Sequence, residues 1–334
     1  MRSFILAPAM LFAILNSSGC DSGPGPTEIE GVGDAMGDWS VHEGAASARS
    51  GIEHATHLDD APEHAFNDFV QSPGGPSSDF VFATARGAIF EMDPRHLGEY
   101  VFRTDDAPRN IVALAQDHYD DSILALTRNG DLYQSDGQAD WTIWVLVGTV
   151  PLQPGGRCAD IQQSAGETGD FVISDDIGGI YEVDPRHLSS IVLRTTEDPI
   201  GIVSLFLNGY ATTMFALTSD GDLYESSGEQ DWTVWSLVAS IPLQLGAVAV
   251  DGVQSAGWPT ADFVFVDDMG GVYEMDPRHV GDVAVRTFDG PLRVVALCAD
   301  TWDDTLLTLT PDGRLYQSDG SNQWADWDMV GSLI

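Results

Sequence analysis

The chain has no lysine. Its basic side chains are 14 arginines, set against 52 aspartates and glutamates, for a formal net charge of −38 over 334 residues. That balance repels a phosphate backbone and excludes nucleic acid as a partner. It also counts against docking on an anionic membrane through a basic patch. Cysteine is scarce: Cys20, Cys158 and Cys298 are too few and too far apart for a disulfide-stapled mini-protein or a CxxC zinc site. A sustained 3.6-residue apolar period is missing, so helices should be few. No GxSxG, HExxH or P-loop occurs, and no GxGxxG sits between a strand and a helix.

What is present starts with an address. Arg2 is the only charge before Asp21, and an apolar run from Phe4 to Leu15 leads to Asn16-Ser17-Ser18-Gly19-Cys20. This is the layout of a secretory signal, and the run is too short to span a bilayer. The small residues before Cys20 resemble the lipobox of bacterial lipoproteins, although Ser17 stands where that family usually has leucine. The resemblance implies that Cys20 becomes an acylated, palmitate-bearing N-terminus. Ser17 and Gly19 also suit an ordinary signal-peptidase site, which leaves plain secretion as the alternative. Residues 1–19 are therefore expected to be a signal peptide and 20–62 a lipidated acidic tether, with the folded domain at 63–334. The tether begins Asp21-Ser22-Gly23-Pro24-Gly25-Pro26, which holds neither helix nor central strand. His54, His57 and His64 lie in it among Glu53, Asp59, Asp60 and Glu63. Their spacing fits no metal-ligand frame, so they read as solvated linker.

The remainder repeats. Asp93-Pro94-Arg95-His96 recurs 91 and then 92 residues later, as Asp184-Pro185-Arg186-His187 and Asp276-Pro277-Arg278-His279. Leu132-Tyr133, Leu223-Tyr224 and Leu315-Tyr316 keep the same offsets, and Asp140-Trp141, Asp231-Trp232 and Asp326-Trp327 are read as following in step. Repeats of about 65–152, 153–244 and 245–334 result. Each divides again: Tyr181, Tyr224 and Tyr273 lie 43 and 49 residues apart, close to the length of one four-stranded propeller blade. Short apolar, β-branched and aromatic runs separated by Gly, Asp and Pro give four strands per unit. The fold expected is all-β, a six-bladed β-propeller built from three tandem two-blade repeats. Aromatics such as Phe263, Phe265, Tyr273, Trp232 and Trp235 would fill the wedges between blades. On this phasing whole blades meet at the closure through side chains, with no strand crossing over. Two alternatives are a closing strand from Asp38-Trp39-Ser40-Val41 and an open stack of β-repeats.

Two constellations carry charge. Asp93, Arg95 and His96, with Asp184, Arg186 and His187 and with Asp276, Arg278 and His279, fall between third and fourth strands. Proline favours a turn there and arginine can hold its neighbouring aspartate, so the motif reads as a structural clasp. Three copies on a ring do not converge on one substrate. The turns between second and third strands carry Asp131, Asp175, Asp176, Asp222, Asp267 and Asp268, with Thr84-Ala85-Arg86-Gly87 replacing the acids in the first blade. Asn-Gly and Asp-Gly are hairpin residues in their own right. These turns share a face with the inter-blade connections, and a ring of carboxylates there could attract Ca²⁺ or a cationic partner. None completes a calcium loop, so no metal or other cofactor is assigned. Cys158 and Cys298 fall in opposite blades and are expected as buried free thiols.

The Gly130-Asp131-Leu132-Tyr133 element, followed by Asp136 and Trp141, resembles repeats of bacterial propellers, including quinoprotein-like and tachylectin-like blades. The resemblance implies a propeller and no particular activity. Two functions stay open. One is an extracytoplasmic, lipid-anchored binding or scaffold module for protein or carbohydrate, with no catalytic residues. The other is a propeller hydrolase or lyase acting on an extracellular polymer.

Overall fold

The computed structural model describes residues 65–73, 78–165, 169–197, 199–209, 213–255 and 261–333. The leader, Cys20, the tether histidines, the Asp38–Val41 segment and the Trp258-Pro259 loop lie outside the described residues.

Six four-stranded antiparallel sheets follow one another, each a simple meander in chain order. Blade 1 comprises Phe66–Gln71, Phe80–Thr84, Ile89–Met92 and Tyr100–Thr104. Blades 2 to 6 begin with Ile111–Asp117, Cys158–Gln163, Ile202–Asn208, Ala249–Gln254 and Ala296–Asp300. The innermost strands contact one another around the ring, including the first against the last, and so enclose a central channel. The only helical elements among the described residues are three-residue 3₁₀ turns.

Burial explains why the strands read as they do. Second strands such as Phe80-Val81-Phe82-Ala83-Thr84 and Phe263-Val264-Phe265-Val266-Asp267 are buried at every position. They are covered by neighbouring blades on both faces, so their apolar character runs without alternation. Six separate apolar clusters occupy the six wedges. They alternate in kind. The wedges between blades 1 and 2, 3 and 4, and 5 and 6 each hold one buried tryptophan: Trp141, Trp232 and Trp324. The other three are filled largely by aliphatic side chains, phenylalanine and tyrosine, as where Phe206, Phe215, Phe263 and Phe265 meet. Each fully buried Phe stabilises the fold by roughly 1.5–3 kcal/mol through the surface it removes from water.

The tryptophan register corrects the sequence reading. Trp324, not Trp327, is the counterpart of Trp141 and Trp232. All three have left-handed backbone with φ of 59°, 56° and 62°. In each case the indole N–H three residues on donates to its carbonyl: Trp144 to Trp141, Trp235 to Trp232, and Trp327 to Trp324, at 2.9–3.0 Å. Asp326-Trp327 imitated the Asp-Trp pair because glutamine precedes the true wedge residue.

Blades 1 and 6 each complete their own sheet, so no shared strand closes the ring. Closure uses polar side chains of the odd blades. In each, a β-bulge at residue 67, 159 or 250 re-aims the next residue, an aspartate. Asp68, Asp160 and Asp251 each accept the N–H of the following residue on one oxygen, at 2.7–2.8 Å. The other oxygen accepts from the next blade: Leu114 N at 2.6 Å, Leu205 N at 2.5 Å and Leu297 N at 2.7 Å. Three residues after each aspartate, a glutamine reaches the opposite way. Gln163 Oε1 accepts His118 N of blade 2 at 2.9 Å, and Gln254 Oε1 accepts Gly209 N of blade 4 at 2.6 Å. Gln71 Oε1 accepts both Thr301 N and Thr301 Oγ1 of blade 6, at 3.1 and 2.7 Å. Each amide nitrogen donates to its own blade's first turn, at Ser78, Gly169 and Ala261. Aspartates bind forward and glutamines backward, so all six joints are bridged. At the closing joint the backbones touch. A Cβ on Gly331 would lie 2.6 Å from Gly98 Cα, which leaves room only for glycine.

The three aspartates line a channel of about 240 Å³ but are walled in by protein. Burial, joined by repulsion from the other aspartates, pushes Asp68 well above the usual carboxyl range and Asp160 up to about 8. Burial raises Asp251 to about 6, opposed by hydrogen bonds led by that from Ser204.

Two outcomes follow from this closure. Gln163→Ala removes a buried acceptor and donor from one joint and should lower unfolding free energy by about 1–3 kcal/mol, read from the denaturant midpoint. Raised carboxyl pKa values also set a sign for pH. The folded ring holds protons that unfolded carboxyls, with pKa near about 4, release. The associated stability is complete below that value and is lost as pH rises through 6 and 8. Melting temperature should therefore fall between pH 5 and 9, more shallowly in Asp160→Asn. Part of the slope should persist, because Asp79 (raised to about 7) and Asp262 (about 6) act in the same direction. A melting temperature flat or rising across that range would contradict the assignment.

Candidate ligand-binding face

In a four-stranded meander the turns between strands two and three lie on the same face as the connections to the next blade. Backbone hydrogen bonds join them into a rim. Phe66 N donates to Pro311 O, Ala85 N to Ala65 O and Asn110 N to Ala85 O. Arg128 N then donates to Asn110 O, and Cys158 N to Arg128 O. The opposite face holds the turns between strands one and two and the Asp-Pro-Arg-His motifs.

Arginine divides between these faces by a simple rule. Six of the twelve described arginines are repeated threefold, and all six engage carboxylates of their own blade. Arg103, Arg194 and Arg286 pair across strands with Glu91, Glu182 and Glu274 at 2.9, 2.6 and 2.6 Å. Arg95, Arg186 and Arg278 fork onto Asp93, Asp184 and Asp276 through Nε and Nη2, at 2.7–2.9 Å. Those aspartates also cap the following turn, accepting the arginine N–H, and His96, His187 and His279 approach them at 3.1–3.5 Å. The guanidinium holds each of these carboxyls well below its ordinary pKa. The motif thus forms a local network on the face away from the rim, and Arg95 also lies over the Trp302 ring of blade 6 at 5.9 Å.

The other six, Arg86, Arg109, Arg128, Arg157, Arg293 and Arg314, are exposed and all lie on the turn-rich face. None is repeated. Where the first repeat has Arg86, Arg109 and Arg128, the second has Ile177, Ile200 and Ser219 and the third Met269, Leu292 and Pro311. Arg157 has Val248 as its counterpart, and Arg314 has Asp131 and Asp222. Among the described residues no carboxylate forms an ion pair with Arg109, Arg128, Arg157 or Arg293. The face is therefore two-sided, with guanidinium groups along blades 6, 1 and 2 as far as the joint with blade 3. Exposed apolar side chains take over beyond, including Ile200 at 60%, Leu245 at 101% and Leu292 at 64% of full exposure.

Where the channel opens on this face, a mouth of about 410 Å³ is lined by Val112, Val203, Val250 and Val295, with Ile202 and Val294. Arg128 and Arg157 stand on one side of it, with Asp176 of the blade 3 turn, whose N–H donates to the Arg157 carbonyl. Cys158, which also lines the mouth, is a buried free thiol pushed up to about 12 by burial. Cys298 is free as well, but only half-buried against the channel.

The six aspartates expected to face a ligand do not form a uniform ring. Asp175 and Asp267 are fully buried. Each points back into its turn, accepting the N–H groups of Ile177 and Gly179 or of Met269 and Gly271. Each also accepts a tyrosine hydroxyl, Tyr181 at 2.8 Å and Tyr273 at 2.7 Å. Asp176 and Asp268 accept the N–H of Arg157 and Val248, tying the incoming connection to the turn at 2.8 and 2.9 Å. Asp131 and Asp222 accept hydroxyls of Thr149 and Ser240 on the fourth strand. Blade 1 has Thr84 and Phe90 in place of Asp175 and Tyr181, so the hydroxyl–carboxylate pair is gone while Thr84 Oγ1 still accepts the Ala88 N–H at 3.0 Å. No group of three or more His, Cys, Asp or Glu among the described residues is arranged to hold a metal ion.

No family model matches the chain, and no curated protein does. Solved structures do. A chain in a crystal structure of a nidogen/laminin complex superposes with TM-score 0.57 at 11% identity, covering 80% of this chain and 93% of that one. A structure titled YCF48 bound to D1 peptide gives 0.49 at 15%, covering 80% and 82%. The first likeness shows the fold: a propeller of four-stranded blades.

The concerted change in blade 1 generates a cycle. Tyr181→Phe alone leaves a buried carboxylate short of a donor and should cost about 1–3 kcal/mol. Combined with Asp175→Thr, as blade 1 has it, the loss should be less than the sum of the two single losses. Additive losses in urea melts would show that the pair is not one unit.

Proposed function

We propose that the chain is a non-catalytic binding module that recognises a protein partner through its turn-rich face, held at a bacterial envelope by lipidation of Cys20. The partition of arginine carries this reading. Threefold repetition preserves what the ring needs, and those arginines are engaged locally. The arginines that break the repeat gather on one face, exposed and beside apolar side chains, which is the composition of an interface. The matched propeller chain comes from a protein complex. All four described histidines, His96, His118, His187 and His279, lie on the opposite face. Among the described residues, then, no histidine stands beside the mouth to favour the hydrolase or lyase reading.

The test is a binding screen of the mature chain against displayed proteins and a glycan array, run beside a turnover assay. A protein ligand should be retained without turnover. Placing charge in the apolar half, Ile200→Asp with Leu292→Asp, should weaken it about tenfold or more, while Trp302→Ala on the opposite face should not. Turnover, or equal binding by both variants, would overturn the reading. Separately, Cys20→Ala should move the chain from the membrane fraction to the soluble one.

A further inference from the structure

We propose that the channel mouth at the joint of blades 2 and 3 reads carboxylates on an acidic, otherwise apolar polypeptide segment. This rests on the turn-rich face being the binding face. Three features converge. First, the mouth is an apolar collar of inner-strand valines with cations on one side only, Arg128 and Arg157. An apolar chain alone would leave two guanidinium groups facing it without partners, and a small anion alone would leave the collar wet.

Second, the rim hydrogen bonds bring these arginines into line with Arg86 and Arg109, because Asn110, Arg128 and Cys158 succeed one another along it. The cationic edge is thus longer than one carboxylate. The apolar surface likewise continues past the mouth, through Ile177, Ile200, Val248 and Met269. An extended polypeptide matches both lengths, whereas a single acyl chain ending in a carboxylate matches neither. Asp176 at the mouth, whose Oδ1 accepts the Arg157 backbone N–H, offsets one of the two cations and leaves the other in excess.

Third, the chain as a whole, with net charge −38, repels acidic segments. Screening confines that repulsion to about 8 Å at physiological salt, so local contacts at the mouth decide binding. An acidic segment is then favoured only in register with these arginines, which is specificity by exclusion.

The experiment uses the full mature chain and a fluorescent peptide alternating leucine or valine with glutamate, its glutamine twin, and laurate as competitor. The variants are Arg128→Ser and Arg157→Val, the residues the second and third repeats place there as Ser219 and Val248, with Arg157→Gln as the conservative form. Melting temperature verifies folding of each. The acidic peptide should bind by anisotropy, the twin about tenfold more weakly, and each arginine variant should lose a comparable factor. The proposal is overturned by an undetectable acidic-peptide complex, equal binding of the twin, undiminished binding by the arginine variants, or displacement by laurate. Loss in the double variant Ile200→Asp/Leu292→Asp, with none in the arginine variants, would sink this inference while leaving the face assignment standing.

Discussion

Closure of the ring depends on polar side chains reaching across joints that no strand spans. Wedge packing supplies most of the burial, but apolar contacts do not by themselves set how far one blade slides past the next. Asp68, Asp160 and Asp251, with Gln71, Gln163 and Gln254, fix that offset by accepting backbone N–H groups of both neighbours. The even blades have Ala113, Ser204 and Ala296 at the aspartate position. The odd blade of each pair therefore supplies the aspartate and glutamine bridges, while Ser204 of blade 4 returns a hydroxyl donor to Asp251 at 2.6 Å. This division of labour is the physical content of the two-blade repeat, and it also concentrates three carboxyls on the axis at a cost in desolvation.

The propeller was legible because its signals are periodic. Motif offsets of 91 and 92 residues, four strands per unit and turn residues between them determine blade number and phasing. The bridging set was just as periodic, as Asp68-Phe69-Val70-Gln71, Asp160-Ile161-Gln162-Gln163 and Asp251-Gly252-Val253-Gln254. In sequence, an Asp and a Gln inside an apolar strand look like interruptions, and only the bulge shows where they point. Asp175 and Asp267 misled in the other direction. A turn aspartate looks exposed in sequence, and its tyrosine partner six residues on gives no sign that its hydroxyl reaches back. The arginine face was hidden for a different reason. Its members are defined by breaking the repeat, and a reading built on recurrence discards what does not recur.

Symmetry thus separates the tasks. The Asp-Pro-Arg-His networks, the Glu–Arg cross-strand pairs and the tryptophan wedges occur three times and stabilise what occurs three times. The two turn networks of Asp175 and Asp267 fall short of threefold only in blade 1, the blade that presents Arg86 in the same turn. There the turn carries a cation in place of the acids, and both the buried carboxylate and its tyrosine hydroxyl are absent.

The joint between the last blade and the first is bridged like those between the second and third and between the fourth and fifth. Glutamine reaches back in each, and outer-strand residues Gly148 and Gly331 press on the next blade's turn in two of them. A ring so made has no privileged seam. Its three modules are interchangeable starting points, so a circularly permuted gene opened at either equivalent connection encodes the same set of neighbours around the axis.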